Sequence, residues 1–330
     1  MKHEEVPAGF GSPIMAGPAG LSAPSWSAQV RGYARTLWRH RYFYLLMAPT
    51  LVYFLIFKYA PIWNAQIAFK DFRPLQGVTG SEWAGFEHFQ TFVNSFYFDQ
   101  LIFNTVIFST AKLVLGLPVA VILAIALHET WLKRFRTLVQ TIVYLPHFLS
   151  WVIMFGILLM MLSPGNGLIN TLIKAMGGDP IAFLTSPQWF RQVVILSDIW
   201  KETGWSTIIY LAALLSISPH LYEAATVDGA SHLQRIWHIS LPGILPVIVL
   251  VTLLRLGNIL DAGFNQIFIL YSVPVYSVGD IIDTWVYRQG ILQFQFSLAT
   301  AVGLFKGVIG LALILVANQV AKRVAEQSLF

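Results

Sequence analysis

The stretch that decides the fold reads Glu223-Ala224-Ala225-Thr226-Val227-Asp228-Gly229, continues for nine residues to Ile239, and closes with Ser240-Leu241-Pro242. Strongly apolar runs lie on both sides of it. A chain that leaves one membrane span and enters the next must satisfy its connecting backbone outside the hydrocarbon. We therefore expect this stretch to fold as a loop between two spans.

The composition requires a lipid environment for much of the chain. Of 330 residues, 56% are hydrophobic and 11% are charged, and the mean hydropathy is +0.65. One soluble core cannot bury so much apolar surface. Six apolar stretches are long enough to cross about 30 Å of hydrocarbon. They predict an all-α membrane protein with spans at residues 42–63, 101–127, 139–162, 192–215, 244–267 and 296–321.

Basic residues near the span ends indicate the orientation, because Lys and Arg are retained on the cytoplasmic side. An N-terminus inside places three basic clusters on that side: Arg31, Arg35, Arg39, Arg41; Lys133, Arg134, Arg136; and Lys322, Arg323. The opposite loops hold a thinner scatter, namely Lys70, Arg73, Lys174 and Arg288. We therefore predict a multi-pass membrane protein with both termini and the loop at residues 218–242 in the cytoplasm.

The charge and cysteine content exclude some classes of protein, and the composition divides the chain into a tail and a domain. The net charge of +5 is a topology signal and gives no support for nucleic-acid binding. The absence of cysteine excludes disulfides and thiol catalysis. Residues 1–35, rich in Gly, Pro, Ala and Ser, are predicted to be a disordered tail, and residues 36–330 the six-span domain. Residues 26–40 fit an amphipathic helix on the inner leaflet or a plain basic flank of the first span.

Polar and charged side chains form stripes inside four predicted spans. An ionisable group in a span must face protein or water, and these groups recur at helical spacing. They are Thr105, Ser109, Lys112 and Gly116; Asp198, Lys201, Glu202 and Trp205; Arg255, Asn258, Asp261, Asn265 and Gln266; and Lys306 beside Ala299, Gly303, Gly307 and Gly310. Together they predict a hydrophilic translocation cavity. The alternative is that Asp198 with Lys201, or Arg255 with Asp261, are structural pairs within one helix.

Two local signals bear on helix geometry. Pro146 is expected to kink the third span. The Gly303-x-x-x-Gly307 pattern is expected to let a neighbouring helix approach closely in the membrane.

The loop between spans four and five carries folding signals of its own. Ser218 suits an N-cap and Pro219 a first helical position, so a short helix is predicted to follow. Gly229 permits a sharp change of direction, and Ser231 can cap a second short helix. The sequence predicts a helix-turn-helix that projects from the membrane and exposes two carboxylates.

The spacing of this loop resembles the coupling loop of ABC importer permeases: Glu-Ala-Ala, three residues, Gly, nine residues, then Ile-x-Leu-Pro. The likeness is to the type I, carbohydrate-uptake branch and covers essentially everything after residue 35. Further matching segments are Phe86-Glu87-His88-Phe89, Asn104-Thr105, Pro164-Gly165-x-Gly167-Leu168-Ile169-Asn170 and Phe183-Leu184-x-x-Pro187. Within that branch the chain is most similar to permeases that import polysaccharide fragments such as alginate oligosaccharides.

This resemblance implies a protein of the bacterial inner membrane, with six transmembrane helices and a cytoplasmic coupling helix between helices 4 and 5. The coupling helix would dock on an ATPase, with Glu223 meeting a basic residue there. The implied coupling residues are Glu223, Ala224, Ala225, Asp228, Gly229, Ile239, Leu241 and Pro242. The predicted substrate pathway comprises Lys112, Asp198, Lys201, Glu202, Trp205, Arg255, Asn258, Asp261, Asn265, Gln266 and Lys306.

The resemblance also implies partners. They are a second, homologous permease subunit, two cytoplasmic ATPase subunits that carry ATP and Mg, and an extracytoplasmic solute-binding protein. No cofactor and no metal are expected on this chain, which holds no Gly-x-x-x-x-Gly-Lys-Ser/Thr phosphate loop. We expect a transport subunit that is not itself an enzyme and moves an oligosaccharide by alternating access.

Two other classes stay open. An ion-coupled secondary transporter would use Asp198, Glu202 and Asp261 as coupling carboxylates. A membrane-embedded enzyme has less support, because no metal-ligand cluster or nucleophile-base spacing stands out. If the chain is such an importer, a pathway for neutral sugars would need mainly amides and aromatic side chains, whereas the predicted pathway contains many charges. Four cations would suit a uronate-bearing substrate instead, namely Lys112, Lys201, Arg255 and Lys306.

Overall fold

A computed structural model describes residues 38–257 and 259–325. The chain divides into two units, Met1–Trp63 and Asn64–Phe330, which are described separately. The predicted tail at residues 1–35 and most of the amphipathic segment lie outside the described residues.

The first unit contains helix α1, Arg41–Phe54, with Pro49 inside it. The helix continues through a π-helical turn, Leu55–Tyr59, and a 3-10 segment, Ala60–Phe69, that leads into the second unit. The whole stretch Arg41–Phe69 is long and apolar enough to cross a membrane.

The second unit is almost entirely helical. Its strands form one small antiparallel pair, β1 (Lys70–Asp71) with β2 (Glu82–Trp83). Its helices are α2 Gly77–Gly80, α3 Glu87–Val93, α4 Phe98–Glu129, α5 Lys133–Tyr144, α6 Trp151–Leu162, α7 Leu168–Ala175, α8 Pro187–Leu215, α9 Pro219–Val227, α10 His232–Arg235, α11 Leu241–Leu256, α12 Phe264–Leu270, α13 Tyr276–Gly279, α14 Ile282–Tyr287 and α15 Phe296–Ala325.

The all-α class is confirmed, whereas the count of six spans depends on how bent helices are treated. Four helical stretches of the described chain are long and apolar enough to cross a membrane: Arg41–Phe69, Phe98–Glu129, His232–Leu256 and Phe296–Gln319. Two helix pairs pass the same test only together and are bent, Lys133–Phe148 with Trp151–Leu162 by 111° and Pro187–Leu215 with Pro219–Val227 by 67°. The number rises to six if each pair is one span.

The third predicted span is sharply broken near its proline. Pro146 lies in a 3-10 turn that follows α5. Ser150 then caps α6, its Oγ accepting a hydrogen bond of 3.3 Å from the Ile153 amide. A proline that cannot donate, followed by a new N-cap, ends one helix and starts another in a different direction. The expected kink is therefore a complete break.

The fifth predicted span is also interrupted, which the sequence analysis did not foresee. Helix α11 ends at Leu256, and α12 begins only at Phe264. Ala262 and Gly263 have positive φ angles of 48° and 84°, which cannot continue a right-handed helix. A Cβ on Gly263 would lie 2.5 Å from Lys112 Nζ, so the break also makes room for a buried lysine.

The core of the second unit forms where α4 and α8 pack against each other. Buried side chains of both helices join α11 in one cluster around Ala120, Tyr210 and Ile244. Gly204 of α8 permits a close approach to α5, because a Cβ there would overlap the Val143 carbonyl oxygen and lie 3.0 Å from Tyr144 Cα. Bulk at this point is excluded by backbone, which cannot rotate away.

The glycine pair in the last helix does not serve the purpose expected of it within this chain. A Cβ added to Gly303 or Gly307 would meet no atom within 4 Å in the described part of the protein. Both glycines line an open cleft of about 460 Å³ instead. Their small size keeps that cleft open.

Motif asparagines hold connecting segments in place. Asn170 is fully buried, donates to the Leu162 and Ile181 carbonyl oxygens at 3.0 and 2.9 Å, and accepts from the Ile181 amide at 2.7 Å. Asn104 donates 2.9 Å to the Asp280 carbonyl. A buried amide that satisfies loop backbone fixes the loop where water cannot reach it.

Candidate functional site

The predicted helix-turn-helix is present as α9 and α10, which we call the α9–α10 hairpin (residues 218–242). Ser218 occupies the N-cap position of α9, although its side chain makes no capping hydrogen bond. Gly229 has φ +78° at the turn. Ser231 caps α10 in a capping box, with Gln234 N to Ser231 Oγ at 3.4 Å and Ser231 N to Gln234 Oε1 at 2.7 Å. The local signals therefore predicted the turn and the second cap correctly.

The hairpin is joined to the following span without a flexible loop. From α10 the chain continues through a π-helical turn, Ile236–Ser240, directly into α11, so that His232–Leu256 forms one apolar helical stretch. Leu241 and Pro242 form the first turn of α11, where a proline is tolerated. The hairpin and the span are therefore connected by continuous helix.

The hairpin presents an acidic and small-residue surface. The Glu223 side chain is 71% exposed and its described ion-pair partner is His220 on the same helix, at 3.2 Å. Ala224 and Asp228 are also exposed. Small side chains beside an exposed carboxylate allow close approach of a basic partner. Ala225 and Ile239 instead line a groove of about 250 Å³ on the hairpin.

Inside the second unit, one charge of α4 pairs with a charge of α8. Lys112 Nζ lies 3.2 Å from Asp198 Oδ1, and it also donates to the Ala262 carbonyl at 3.0 Å and to Gln266 Oε1 at 2.5 Å. The alternative of an Asp198–Lys201 pair within α8 is therefore wrong. Lys112 instead ties α4 to α8 and to the broken part of the fifth span.

A second cluster forms around the break between α5 and α6. Lys201 donates to the His147 carbonyl oxygen at 2.5 Å and lies 3.5 Å from Glu202. Glu202 is 3.0 Å from His147 Nδ1. Trp205 stacks on the His147 ring, with 4.8 Å between centroids and 7° between planes. These three predicted pathway residues are thus brought together by the same histidine.

Arg255, in the last turn of α11, hydrogen-bonds the Ser206 hydroxyl of α8. The predicted stripe that continues from Arg255 through Asp261 and Asn265 is wrong as a helix face, because the helix ends at Leu256. The alternative Arg255–Asp261 pair is wrong too, since Asp261 pairs with a lysine of α15. Asn258, the remaining predicted pathway residue, lies outside the described residues.

Lys306 joins three elements through two carboxylates. Its Nζ is 2.7 Å from Asp261 Oδ1 and 2.8 and 2.7 Å from the two oxygens of Asp283. Burial raises the pKa of Asp283, an effect that Lys306 opposes. We call these residues the Lys306 triad.

The Lys306 triad lies between two clefts. All three residues line both a cleft of about 790 Å³ and the 460 Å³ cleft beside Gly303 and Gly307. Aromatic side chains line the larger cleft as well, among them Trp151 and Tyr287. Such a mixture of apolar planes and fixed polar groups is typical of small-molecule sites.

Of the remaining predicted residues of the fifth span, one lines the larger cleft and one is buried. Asn265 lines the 790 Å³ cleft. Gln266 is fully buried and donates to the Val194 carbonyl at 2.7 Å and to Ser197 Oγ at 2.9 Å. Its amide is satisfied by the protein, so its described role is to hold α12 against α8.

A third, polar cavity of about 290 Å³ lies beside these clusters and is lined by Lys112, Asp198, Glu202 and Arg255, with Ser109 and Gly263. Four residues of the predicted pathway, from three helices, therefore line one space. Three of the four cations suggested for a uronate already have carboxylate partners in the chain, namely Lys112, Lys201 and Lys306.

The predicted pathway left out several residues of this interior. His147, Ser206 and Asp283 each bond a predicted residue. Asp283 lies between predicted spans, where charges are common, so no signal distinguished it. The buried pair of Arg288 with Asp280 was missed for the same reason.

Comparison with known proteins places this helical, membrane-embedded architecture in a class. Residues 116–327 match the family described as binding-protein-dependent transport system inner membrane component. The polygalacturonan/rhamnogalacturonan transport system permease protein YteP of Bacillus subtilis (strain 168) is 44% identical over 292 residues, covering 88% of this chain and 91% of YteP.

Two solved structures resemble this chain closely. One is a crystal structure of a bacterial ABC transporter involved in the import of the acidic polysaccharide alginate, with TM-score 0.83, 42% identity and coverage of 89% of this chain and 99% of that one. The other is a bacterial alginate ABC transporter in complex with alginate pentasaccharide-bound periplasmic protein, with TM-score 0.83, 41% identity and the same coverage.

The chain belongs to the binding-protein-dependent transport system inner membrane component family. It is thus a multi-pass inner-membrane permease of the ABC transporter class.

Proposed function

We propose that this permease imports an oligosaccharide, delivered by an extracytoplasmic binding protein, into the cytoplasm by alternating access driven by ATP. The observation that carries the proposal is the α9–α10 hairpin, which exposes Glu223 and continues as an unbroken helix into α11. A hairpin of this kind can receive a force outside the membrane and move the span to which it is joined.

ATP is bound and hydrolysed by partner subunits in this proposal. The sequence lacks the Gly-x-x-x-x-Gly-Lys-Ser/Thr loop, and the permease class of the chain supports a transport subunit without ATPase activity. Two ATPase subunits would carry the ATP and Mg, each receiving a coupling helix in a groove where a basic residue meets Glu223. Drawing the two coupling helices together would open the spans outward, and hydrolysis would reset them.

The rest of the complex follows from the same class. A second, homologous permease completes the pathway, and its identity as a different chain is part of the proposal. Both termini and the hairpin lie in the cytoplasm, supported by the basic clusters at the span ends. We propose that residues 36–330 are the permease domain.

The proposed cargo is an oligosaccharide from an acidic plant or bacterial polysaccharide. The proposal rests on the names of two similar proteins, one a polygalacturonan/rhamnogalacturonan permease and the other an importer of alginate. The 790 Å³ cleft, with aromatic planes beside Asp283 and Lys306, has the chemistry that sugar rings and hydroxyls need. We propose that this cleft and the 290 Å³ cavity are parts of the pathway.

The test is transport by the complex in liposomes with its binding protein. We expect uptake of acidic oligosaccharides that requires ATP on the ATPase side of the liposome membrane and is accompanied by hydrolysis of that ATP. Uptake that continues without ATP and follows an imposed proton or sodium gradient would instead identify an ion-coupled secondary transporter. Purification without any accompanying ATPase subunit would point the same way.

A further inference from the structure

We propose that Arg255 binds an anionic group of the cargo, the carboxylate of a uronate residue, in the 290 Å³ cavity between α4, α8 and the break after α11. The inference rests on the proposed function and names the residue that selects acidic cargo.

The cavity provides the space. Its volume of about 290 Å³ is close to the lower end, about 300 Å³, of the sites that hold small molecules. Gly116 of α4 leaves room for the arginine, since a Cβ there would lie 3.9 Å from an Arg255 Nη. The break after α11 opens the side of the cavity, where Ala262 and Gly263 contribute backbone instead of bulky side chains.

The charges around the cavity leave one cation unmatched. Lys112 pairs with Asp198 at 3.2 Å, and Lys201 lies 3.5 Å from Glu202. Arg255 is the fifth charge of this cluster, and no carboxylate within 4.0 Å of it is found among residues 38–257 and 259–325. Its described partner is the neutral Ser206 hydroxyl.

An unmatched guanidinium inside a membrane protein is costly unless an anion reaches it. A guanidinium has five N–H donors in a planar fork, and one serine oxygen uses only part of them. The fork matches the two oxygens of a carboxylate, which it binds in a bidentate manner. A transient carboxylate on a moving cargo meets this need without the permanent pairing that ties down Lys112.

The experiment measures initial uptake into liposomes by the whole complex, using trigalacturonate and its fully methyl-esterified, neutral form as probes. We expect Arg255→Gln to slow uptake of trigalacturonate roughly tenfold or more relative to the ester, as expected for loss of a hydrogen-bonded charge pair. Arg255→Lys keeps the charge but loses the planar fork of donors. Its ratio of trigalacturonate uptake to ester uptake should therefore lie between those of the wild type and Arg255→Gln.

Arg191→Gln is the matched control. Like Arg255, Arg191 of α8 has no carboxylate partner among the described residues, but it donates to Asn104 Oδ1 at 2.7 Å and to the Val278 carbonyl at 3.2 Å. Any loss it causes should be equal for the two probes.

Equal losses of both probes in Arg255→Gln would overturn the inference while leaving the proposed function intact. A second result would also overturn the inference: Arg255→Gln assembles poorly, while Arg255→Lys assembles and takes up both probes without preference. Arg255 would then pair with a neighbouring subunit. Failure of the wild-type complex to take up either probe with ATP would contradict the proposed function itself, and the inference with it.

Discussion

The Tyr222 hydroxyl lies 3.0 Å from Ser240 Oγ, which links the middle of α9 to the helix that enters the membrane. Ser240 is fully buried. Arg235 adds a second link through a 3.0 Å hydrogen bond to Thr226 Oγ1. These bonds hold the α9–α10 hairpin and the start of α11 together as one unit.

Tyr222→Phe should loosen this unit. The change removes a hydrogen bond worth about 0.5–1.5 kcal/mol and leaves a buried serine hydroxyl without its partner. We expect a lower melting temperature of the purified complex and less sugar transported per ATP hydrolysed.

Ser240→Ala and the double variant complete a thermodynamic cycle for this pair. Because either change breaks the same bond, the double variant should lose less than the two single losses added together. Strictly additive losses would show that the bond does not couple the two helices.

Glu223→Lys should weaken docking of the ATPase subunits while the chain still inserts. The side chain is exposed and paired only within its own helix, so the reversal removes little folding energy. The measurement is the yield of ATPase subunits that co-purify with the tagged permease. Glu82→Lys is the control, since Glu82 is an exposed carboxylate on β2, away from the hairpin. Equal yields from the two variants would contradict the docking role of Glu223.

Local signals in the sequence predicted the parts of this protein that depend on local chemistry. Apolar runs placed the first, second and last predicted spans on long apolar helices within a few residues, and Gly229 and Ser231 placed the turn and cap of the hairpin. These features depend on neighbours along the chain, so a single sequence contains them.

The sequence could not reveal how the charges pair. Asp198 and Lys201 have the i, i+3 spacing of a pair within one helix, yet Asp198 bonds Lys112 of α4. Spacing shows which residues share a face, whereas a partner on another helix depends on packing. The break after Leu256 was missed for the same reason: the positive φ angles of Ala262 and Gly263 accompany the contact with Lys112. Which of these residues touch cargo stays a prediction.

Gly204→Ala should disturb the packing of α8 on α5. The added methyl group would overlap the Val143 carbonyl oxygen and crowd Tyr144 Cα, and overpacking of this kind typically costs about 1–3 kcal/mol. We expect a lower melting temperature and reduced yield. Gly156→Ala in α6 is the control, because a Cβ there meets no atom of the described chain within 4 Å. A Gly204→Ala protein as stable as Gly156→Ala would refute the close approach.

Gly229→Ala should strain the turn of the hairpin without any steric clash. No atom of residues 38–257 or 259–325 lies within 4 Å of the added Cβ, but φ is +78°, which costs a non-glycine residue roughly 1–2 kcal/mol. Gly229→Asn should be milder, because Asn tolerates left-handed backbone better than Ala. Gly165→Ala is the control, since Gly165 has open space and no positive φ. We expect transport per ATP to fall from the wild type to Gly229→Asn and further to Gly229→Ala, with Gly165→Ala unchanged. If the two substitutions of Gly229 behaved alike, backbone strain at this turn would not explain the effect.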